Sequence, residues 1–163
     1  MIPLSSPSTL LKALLVPAIV LSMGLTSFAA AQVQKRSGTD TEGPLFHEYR
    51  GIQIGTLADE VRKKLGSPAD KSVEQDFYVF NEKETAQILY DKAGKVVTIS
   101  VDFMVGADGV LTPKQVFGGD IEPKPDGSKY RMVRYPKAGC WLSYNRTAGD
   151  QPLITVTLQK IDR

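Results

Sequence analysis

The sequence is short of the residues from which many catalytic and metal sites are built, with one cysteine and one histidine among 163 residues. Since Cys140 has no second cysteine to pair with, no intramolecular disulfide can form, and the fold must be held by its core. His47 has no second histidine and no cysteine near it in sequence, so neither a metal site nor a Cys-His or Ser-His pair is expected. We therefore predict a chain with no cofactor, no metal and no enzymatic activity, in which Cys140 is a small buried core residue.

The sequence also lacks a strong charge of either sign, because its formal net charge is +2. A general nucleic-acid-binding protein carries a large basic excess, so no nucleic-acid partner is predicted. The charge is unevenly distributed, however. Residues 32–110 carry 10 basic and 13 acidic side chains, whereas residues 111–160 carry 8 basic and 4 acidic ones. The C-terminal half is the basic half, and an ordinary solvated surface is favoured there over a site for an anionic partner.

The N-terminal stretch is nearly free of charge, since Lys12 carries the only side-chain charge before Lys35. Residues 13–25 are largely apolar, and residues 29–31, three alanines, are suitable for cleavage. We predict a secretory signal peptide over residues 1–31, with an uncleaved membrane anchor as the alternative. No cysteine follows the cleavage region, so lipid attachment is not expected. The mature chain is predicted to be periplasmic or secreted, in a bacterium, without a membrane span.

The remaining chain divides into a short linker and one domain. Residues 32–43, QVQKRSGTDTEG, have no apolar period and are predicted to form a flexible tether. Residues 44–163 are predicted to form a single domain. Six runs in it are rich in β-branched and aromatic residues, which predicts strands. They lie at residues 76–80, 86–91, 95–103, 129–135, 139–145 and 153–158.

Two stretches of this domain carry helix signals. In GIQIGTLADEVRKKLGSPAD, residues 51–70, Thr56 is predicted to cap a helix of about ten residues in a capping box with Asp59. The Gly-Ser-Pro at its end predicts the stop. In LTPKQVFGG, a second box is predicted between Thr112 and Gln115, and the glycine pair ends that helix.

Each predicted helix is followed by three predicted strands, so residues 111–158 repeat the order of residues 51–103. The predicted fold class is α+β, with two tandem αβββ repeats that form an antiparallel sheet and short helices packed on one face. The matched positions include Tyr78 with Arg131, Ile88 with Leu142, and Ile99 with Val156.

Because side chains alternate along a strand, positions that are apolar in both repeats are predicted to face the helices. They are Phe77, Val79, Ile88, Tyr90, Val97, Ile99, Val101, Tyr130, Met132, Cys140, Leu142, Tyr144, Ile154, Val156 and Leu158.

The opposite face is predicted to carry aromatics, hydroxyls and an arginine, which is the composition of an interface core. The predicted partner-binding residues on it are Trp141, Tyr78, Phe80, Tyr135 and Arg131. The alternative left open is that another layer, either the N-terminal segment or a second copy, simply covers this face.

The quoted helix with its Leu-Gly-x-Pro ending, followed by Tyr-Asp-Lys-Ala-Gly-Lys-Val at residues 90–96, resembles the SmpA/OmlA (BamE-like) modules. The tandem arrangement is similar to the β-lactamase-inhibitor-protein-like (BLIP-like) fold. Residues 51–103 fit well, whereas residues 111–158 fit only in outline, because their helix is shorter and lacks that ending. The resemblance implies a helix-backed sheet in the bacterial envelope that acts by protein contact without a cofactor.

These observations predict a non-enzymatic extracytoplasmic protein-binding module, an envelope-assembly accessory or an inhibitor-like protein. Its partner is expected to be another envelope or secreted protein, bound through the exposed sheet face. The alternative is a periplasmic small-ligand carrier that uses a concave sheet.

Overall fold

A computed structural model of the chain describes residues 43–161. The predicted signal peptide, residues 1–31, and all of the predicted tether except Gly43 lie outside the described residues, as do residues 162–163. Within the described part, no helix is both long and apolar enough to cross a membrane.

Residues 43–161 form a sheet-rich α+β fold in which all strand pairs are antiparallel. The elements are β1 (Glu48–Tyr49), β2 (Ile52–Gln53), α1 (Ala58–Leu65), β3 (Asp70–Lys71), β4 (Gln75–Asn81), β5 (Glu84–Tyr90), β6 (Val96–Phe103), α2 (Pro113–Phe117), β7 (Lys129–Tyr135), β8 (Cys140–Arg146) and β9 (Ile154–Lys160). β1 and β2 pair as a small hairpin, and the main sheet has the order β3-β4-β5-β6-β9-β8-β7. The six predicted strands are confirmed as β4 to β9, with ends within two residues of the prediction. β3 was not predicted.

The helix α1 begins later than predicted, because the chain before it is bound to the start of β6. The backbone carbonyl of Thr56 accepts a hydrogen bond from the amide of Val96, and the amide of Ala58 donates to the carbonyl of Gly94. Leu57 is the N-cap residue, and no side chain caps the helix. The Thr56 hydroxyl accepts from the amide of Gln53 instead. The predicted capping box at Thr56 was wrong.

The capping box of α2 is confirmed. The Thr112 hydroxyl accepts a hydrogen bond from the amide of Gln115 at 3.3 Å, and the Gln115 side chain accepts from the amide of Thr112 at 2.8 Å. The helix ends at Gly118, whose φ of 78° lies in the left-handed region that favours glycine. Here the local sequence alone determines where the helix begins and ends, because no strand competes for its first turn.

One face of the main sheet carries the core. The helices α1 and α2 each contribute a fully buried valine, Val61 and Val116, and β2 contributes Ile52. These side chains belong to the same hydrophobic cluster as the buried residues of β4, β5, β6, β8 and β9. We call this side of the sheet the helix face and the other side the open face. Among the predicted helix-facing residues, Ile88, Tyr90, Ile99, Val101, Cys140, Leu142, Tyr144, Val156 and Leu158 are confirmed as buried core residues.

The faces predicted for the two outer strands, β4 and β7, were wrong. Tyr78 pairs with buried Ala86 and is itself 2% exposed, whereas its neighbour Val79 is 54% exposed. In β7, Arg131 pairs with buried Tyr144, and Met132 is 50% exposed. Both strands are therefore turned over relative to the prediction, so that Phe77, Val79, Tyr130 and Met132 lie on the open face.

The predicted face was also wrong at the beginning of β6. The register between β5 and β6 shifts between Leu89 and Tyr90, so that Tyr90 pairs with Val96 instead of Val97. Val96 is fully buried and Val97 is only partly so. An irregularity of this kind displaces the alternation by one residue, and the sequence shows no glycine or proline that would mark it.

Candidate functional site

The open face is a wide surface on which residues of six strands lie side by side. The registers place them in three rows, each running from β4 through β5, β6, β9 and β8 to β7. The first row is Gln75, Leu89, Thr98, Gln159, Trp141 and Arg134. The second row is Phe77, Gln87, Ser100, Thr157, Ser143 and Met132. The third row is Val79, Thr85, Asp102, Thr155, Asn145 and Tyr130.

The rows have a polar centre and apolar sides. The two central strands, β6 and β9, contribute only hydroxyl, amide and carboxylate side chains to them. The apolar and aromatic side chains come from the flanking strands, and they are Phe77, Val79, Leu89, Trp141, Tyr130 and Met132. Of the charged residue types, the rows contain only Asp102 and Arg134.

The polar centre is held by hydrogen bonds between neighbouring strands. The Ser100 and Thr157 hydroxyl oxygens are 2.9 Å apart, and the Thr155 hydroxyl donates to a carboxylate oxygen of Asp102 at 2.6 Å. Each of these pairs spans β6 and β9, the strands through which the two halves of the sheet meet. The centre of the open face is therefore pre-organised, which lowers the entropy cost of binding to it.

The apolar sides are the most accessible part of the open face. Val79 is 54% exposed on β4, and Tyr130 and Met132 are 49% and 50% exposed on β7. Phe77, in the row of Met132, and Trp141, in the first row, are half-buried. Large apolar side chains exposed together on one surface are more informative than the same residues scattered singly.

Of the predicted partner-binding residues, Trp141 lies on the open face, opposite Gln159 on one side and Arg134 on the other. Tyr78, Phe80, Arg131 and Tyr135 lie on the helix face. Arg131 stacks on Phe117 of α2, with its guanidinium carbon 4.9 Å from the ring centre. Tyr135 pairs with buried Cys140. These four residues are therefore not available to a partner that binds the open face.

Tyr78 belongs to a buried polar cluster around Asp76, which is fully buried. Arg62 of α1 donates to both carboxylate oxygens of Asp76, at 2.9 and 3.0 Å, and the Tyr90 hydroxyl donates at 2.7 Å. The Tyr78 hydroxyl lies at 3.4 Å from the same carboxylate. Burial, aided by the charge of Asp76, raises the pKa of Tyr78 to about 12, and burial also raises the pKa of Tyr90. The cluster attaches α1 to the sheet.

Phe80 belongs to a second cluster, around Glu84, that attaches the β1–β2 hairpin to the sheet. The Tyr49 hydroxyl donates to Glu84 at 2.6 Å and Arg50 donates to the other carboxylate oxygen at 2.8 Å. The Arg50 guanidinium also lies 4.1 Å from the centre of the Phe80 ring. Burial and the hydrogen bond to Glu84 raise the pKa of Tyr49. Each buried side-chain nitrogen and oxygen atom of both clusters has a hydrogen-bond partner, as expected of attachments that hold elements of a fold together.

Next to Cys140, an open depression of about 400 Å³ lies at one end of the helix face. Its polar side chains are His47 and Gln53, and both are engaged locally. His47 Nδ1 lies 3.0 Å from the carbonyl of Leu45, and the side-chain amide of Gln53 donates to the carboxylate of Glu48. Burial raises the pKa of the Cys140 thiol, which disfavours the reactive thiolate. The described residues bring no three His, Cys, Asp or Glu side chains together in a metal-binding group.

Four residues of the open face were predicted on the opposite side of the sheet: Phe77, Val79, Tyr130 and Met132. The available signal was the pair of charges in Arg62 and Asp76. A buried charge needs an opposite charge beside it, so a pair between Arg62 of α1 and Asp76 would place Asp76 on the helix face and thereby determine the orientation of β4. Nothing local to either residue shows that they meet.

No protein-family model, curated protein or solved structure matches the chain. The inference of function therefore starts from the open face.

Proposed function

We propose that this chain is a non-enzymatic protein-binding module whose binding surface is the open face. The observation that carries the proposal is the group of half-exposed apolar side chains on both outer strands, Val79 on one side and Tyr130 and Met132 on the other. Interface cores are poor in charge and rich in aromatic residues, methionine and arginine. The open face has this composition in Trp141, Tyr130, Met132, Phe77 and Arg134.

The partner that fits this surface is a protein whose contacting patch is itself largely uncharged. It packs apolar side chains against the two sides of the open face and hydrogen-bonds to the hydroxyls of the centre. Ser100 and Thr157 already satisfy each other across β6 and β9, so a partner gains most at the apolar sides. Trp141 is the expected hot spot, because a large half-buried aromatic in the interior of a face excludes the most water on contact.

We further propose that the protein acts outside the cytoplasm, in the periplasm or after secretion, as an envelope-assembly accessory or an inhibitor-like protein. This proposal is supported by residues 1–31, in which a lysine is followed by an apolar run and then by small residues, the order that is typical of a secretory signal peptide. The likeness of residues 51–103 to the SmpA/OmlA modules supports the same location and mode of action, and membership of that family is part of the proposal.

The experiment is capture of a partner from an envelope extract with matched variants. Val79 lies on the open face, and Val73, which is 86% exposed, lies in the turn before β4, so the two valines form a natural pair. We expect Val79→Asp and Trp141→Ala to weaken capture of the same protein, by about thirtyfold for Trp141→Ala. Val73→Asp should capture it as well as the unmodified chain.

Two outcomes would contradict the proposal. A large loss of melting temperature in Trp141→Ala would show that another layer covers the open face. Equal capture by Val79→Asp and Val73→Asp would show that the face is not used. A compound that co-purifies in stoichiometric amount in native mass spectrometry would favour the small-ligand carrier instead.

We also propose that the two halves are copies of one αβββ unit. Each half has a short helix and, after it, three long consecutive antiparallel strands, with the two-residue β3 between α1 and β4 in the first half. The last strands of the two halves, β6 and β9, pair with each other. In the first half Ile88 pairs with Ile99, and in the second Tyr144 pairs with Val156. The registers therefore favour matching Ile88 with Tyr144 instead of Leu142. Superposition of the two halves of a crystal structure would test this equivalence.

A further inference from the structure

The strand β7 forms one edge of the main sheet. It runs over Lys129–Tyr135 and pairs with β8 through its whole length without a register shift. Its other edge pairs with no strand among residues 43–161. At the far edge of the sheet, β3 has only two residues, Asp70–Lys71. A regular edge strand of seven residues, without proline or glycine, presents unpaired backbone groups at alternate positions to an added strand.

The charge of this edge is of one sign. β7 has the sequence KYRMVRY, in which Lys129, Arg131 and Arg134 are basic and no residue is acidic. The ion pairs found within residues 43–161 all involve Arg50 or Arg62, so no basic side chain of β7 has a carboxylate within 4.0 Å in that part of the chain. Basic side chains on an edge strand oppose pairing with another basic strand. Attraction between opposite charges makes an acidic strand the favoured partner of β7.

We propose that the edge of β7 binds an extended acidic segment of another protein by strand addition. The backbone of the segment pairs with the free edge, and its carboxylates lie opposite Lys129, Arg131 and Arg134. Strand addition of this kind takes its affinity from backbone hydrogen bonds and its specificity from alternate side chains. A second copy of this chain fits less well, because pairing two β7 strands would double an uncompensated positive charge.

The alternation of β7 defines the sequence that fits. Lys129 and Arg131 lie on the helix face, and Arg134 lies on the open face beside Met132. An antiparallel segment that runs from Arg134 to Lys129 therefore has acidic residues at its first, fourth and sixth positions. Apolar residues lie at its second and third positions, opposite Val133 and Met132. The probe peptide is Glu-Val-Leu-Glu-Thr-Glu with blocked ends, and its scrambled sequence is the control.

The test measures binding of the labelled probe to the full chain by fluorescence anisotropy at low salt. Two further peptides carry N-methyl groups on one or the other alternate set of amides, because only one set faces β7 in a paired strand. We expect one methylated peptide to bind at least about tenfold more weakly and the other to bind nearly as well as the probe. Equal effects of the two methylations, or no binding of the probe, would overturn strand addition.

Charge variants test the position of the site. Lys129→Glu with Arg134→Glu should weaken binding by about tenfold or more, whereas Lys92→Glu, the same change in the exposed β5–β6 turn, should change it less than about twofold. Arg131→Gln gives a second test of the edge if the double variant fails to fold. An equal loss in Lys92→Glu would overturn the assignment. A dimer in sedimentation that Arg134→Glu dissociates would place a second copy there and would also overturn it. Val79→Asp, on β4 at the other side of the open face from β7, should leave peptide binding unchanged, which separates this site from the open face.

Discussion

Replacement of Asp76 by asparagine tests the orientation of β4, on which the composition of the open face depends. Asp76 is fully buried on the helix face and accepts two hydrogen bonds from Arg62 and one from Tyr90. Asparagine has the same shape but no charge. Its side-chain NH2 group, which cannot accept a hydrogen bond, would take the place of one carboxylate oxygen and would face the donors of Arg62 or Tyr90. Arg62 would lose its buried carboxylate partner and keep only the carbonyl of Ser72 and the exposed carboxylate of Asp59.

The expected cost follows from the geometry of the pair. Loss of one partner of a buried ion pair costs about 3 to 5 kcal/mol. The Arg62 side chain is 21% exposed, so water can solvate part of the guanidinium, and the lower end of that range, about 3 kcal/mol, applies. For a domain of this size, such a loss lowers the melting temperature by roughly 10 °C.

Urea unfolding and thermal unfolding measure this loss, and Asp102→Asn is the matched control. Asp102 lies on the open face of the same sheet, is half-buried, and accepts one hydrogen bond from Thr155 that asparagine can also accept. We expect the control to cost less than about 1 kcal/mol. If Asp76→Asn cost no more than Asp102→Asn, Asp76 would face solvent. Tyr78 would then lie on the open face, as the sequence predicted, and the present assignment of β4 would be refuted.

Three further predictions follow from other parts of the fold. Because the pKa of Tyr78 is raised from 10.0 to about 12, its contribution to stability should be constant below about pH 10 and should be lost from there to about pH 12, as the unfolded chain releases a proton that the folded chain retains. Melting curves between these two pH values measure the loss, and a melting temperature that stays constant between them would contradict the prediction. The buried Cys140 thiol, whose pKa is raised, should react with a thiol reagent much more slowly in the folded chain than in urea, and equal rates would show that it is accessible. Thr112→Ala should cost about 1 kcal/mol in urea unfolding through the lost cap of α2, whereas Thr56→Ala, which removes no helix cap, should cost less.

Local signals in the sequence were sufficient to predict both helices and the six long strands, although not β3. The turn at residues 91–94 is local in this sense, because Asp91 accepts hydrogen bonds from the amides of Ala93 and Lys95. The capping box at Thr112 is confirmed for the same reason, since all of its hydrogen bonds join residues within one turn of helix. Thr56 failed as a cap because its own backbone is bound to β6, some 40 residues later. A local rule holds where no distant strand competes for the same backbone groups.

The faces of the outer strands could not be predicted from the same kind of signal. In β4 the run Phe77, Tyr78, Val79 and Phe80 is apolar at every position, so alternation does not distinguish its sides. Asp76, although charged, is buried because Arg62 of α1 reaches it. For the central strands β5, β8 and β9, whose apolar residues alternate with polar ones, the predicted faces are confirmed.

The same inversion occurs on both outer strands, and it bears on function. On β4 the charged Asp76 faces α1, and on β7 the charged Arg131 faces α2 and stacks on Phe117. Because side chains alternate, a charged residue turned toward the helix displaces its apolar neighbours to the open face, where Val79 is 54% and Met132 is 50% exposed. A fold selected for stability alone would place these residues the other way, since a buried charge and an exposed apolar side chain are both unfavourable. A partner that covers the apolar sides would offset this cost, and this is the physical reason for proposing that the open face binds one.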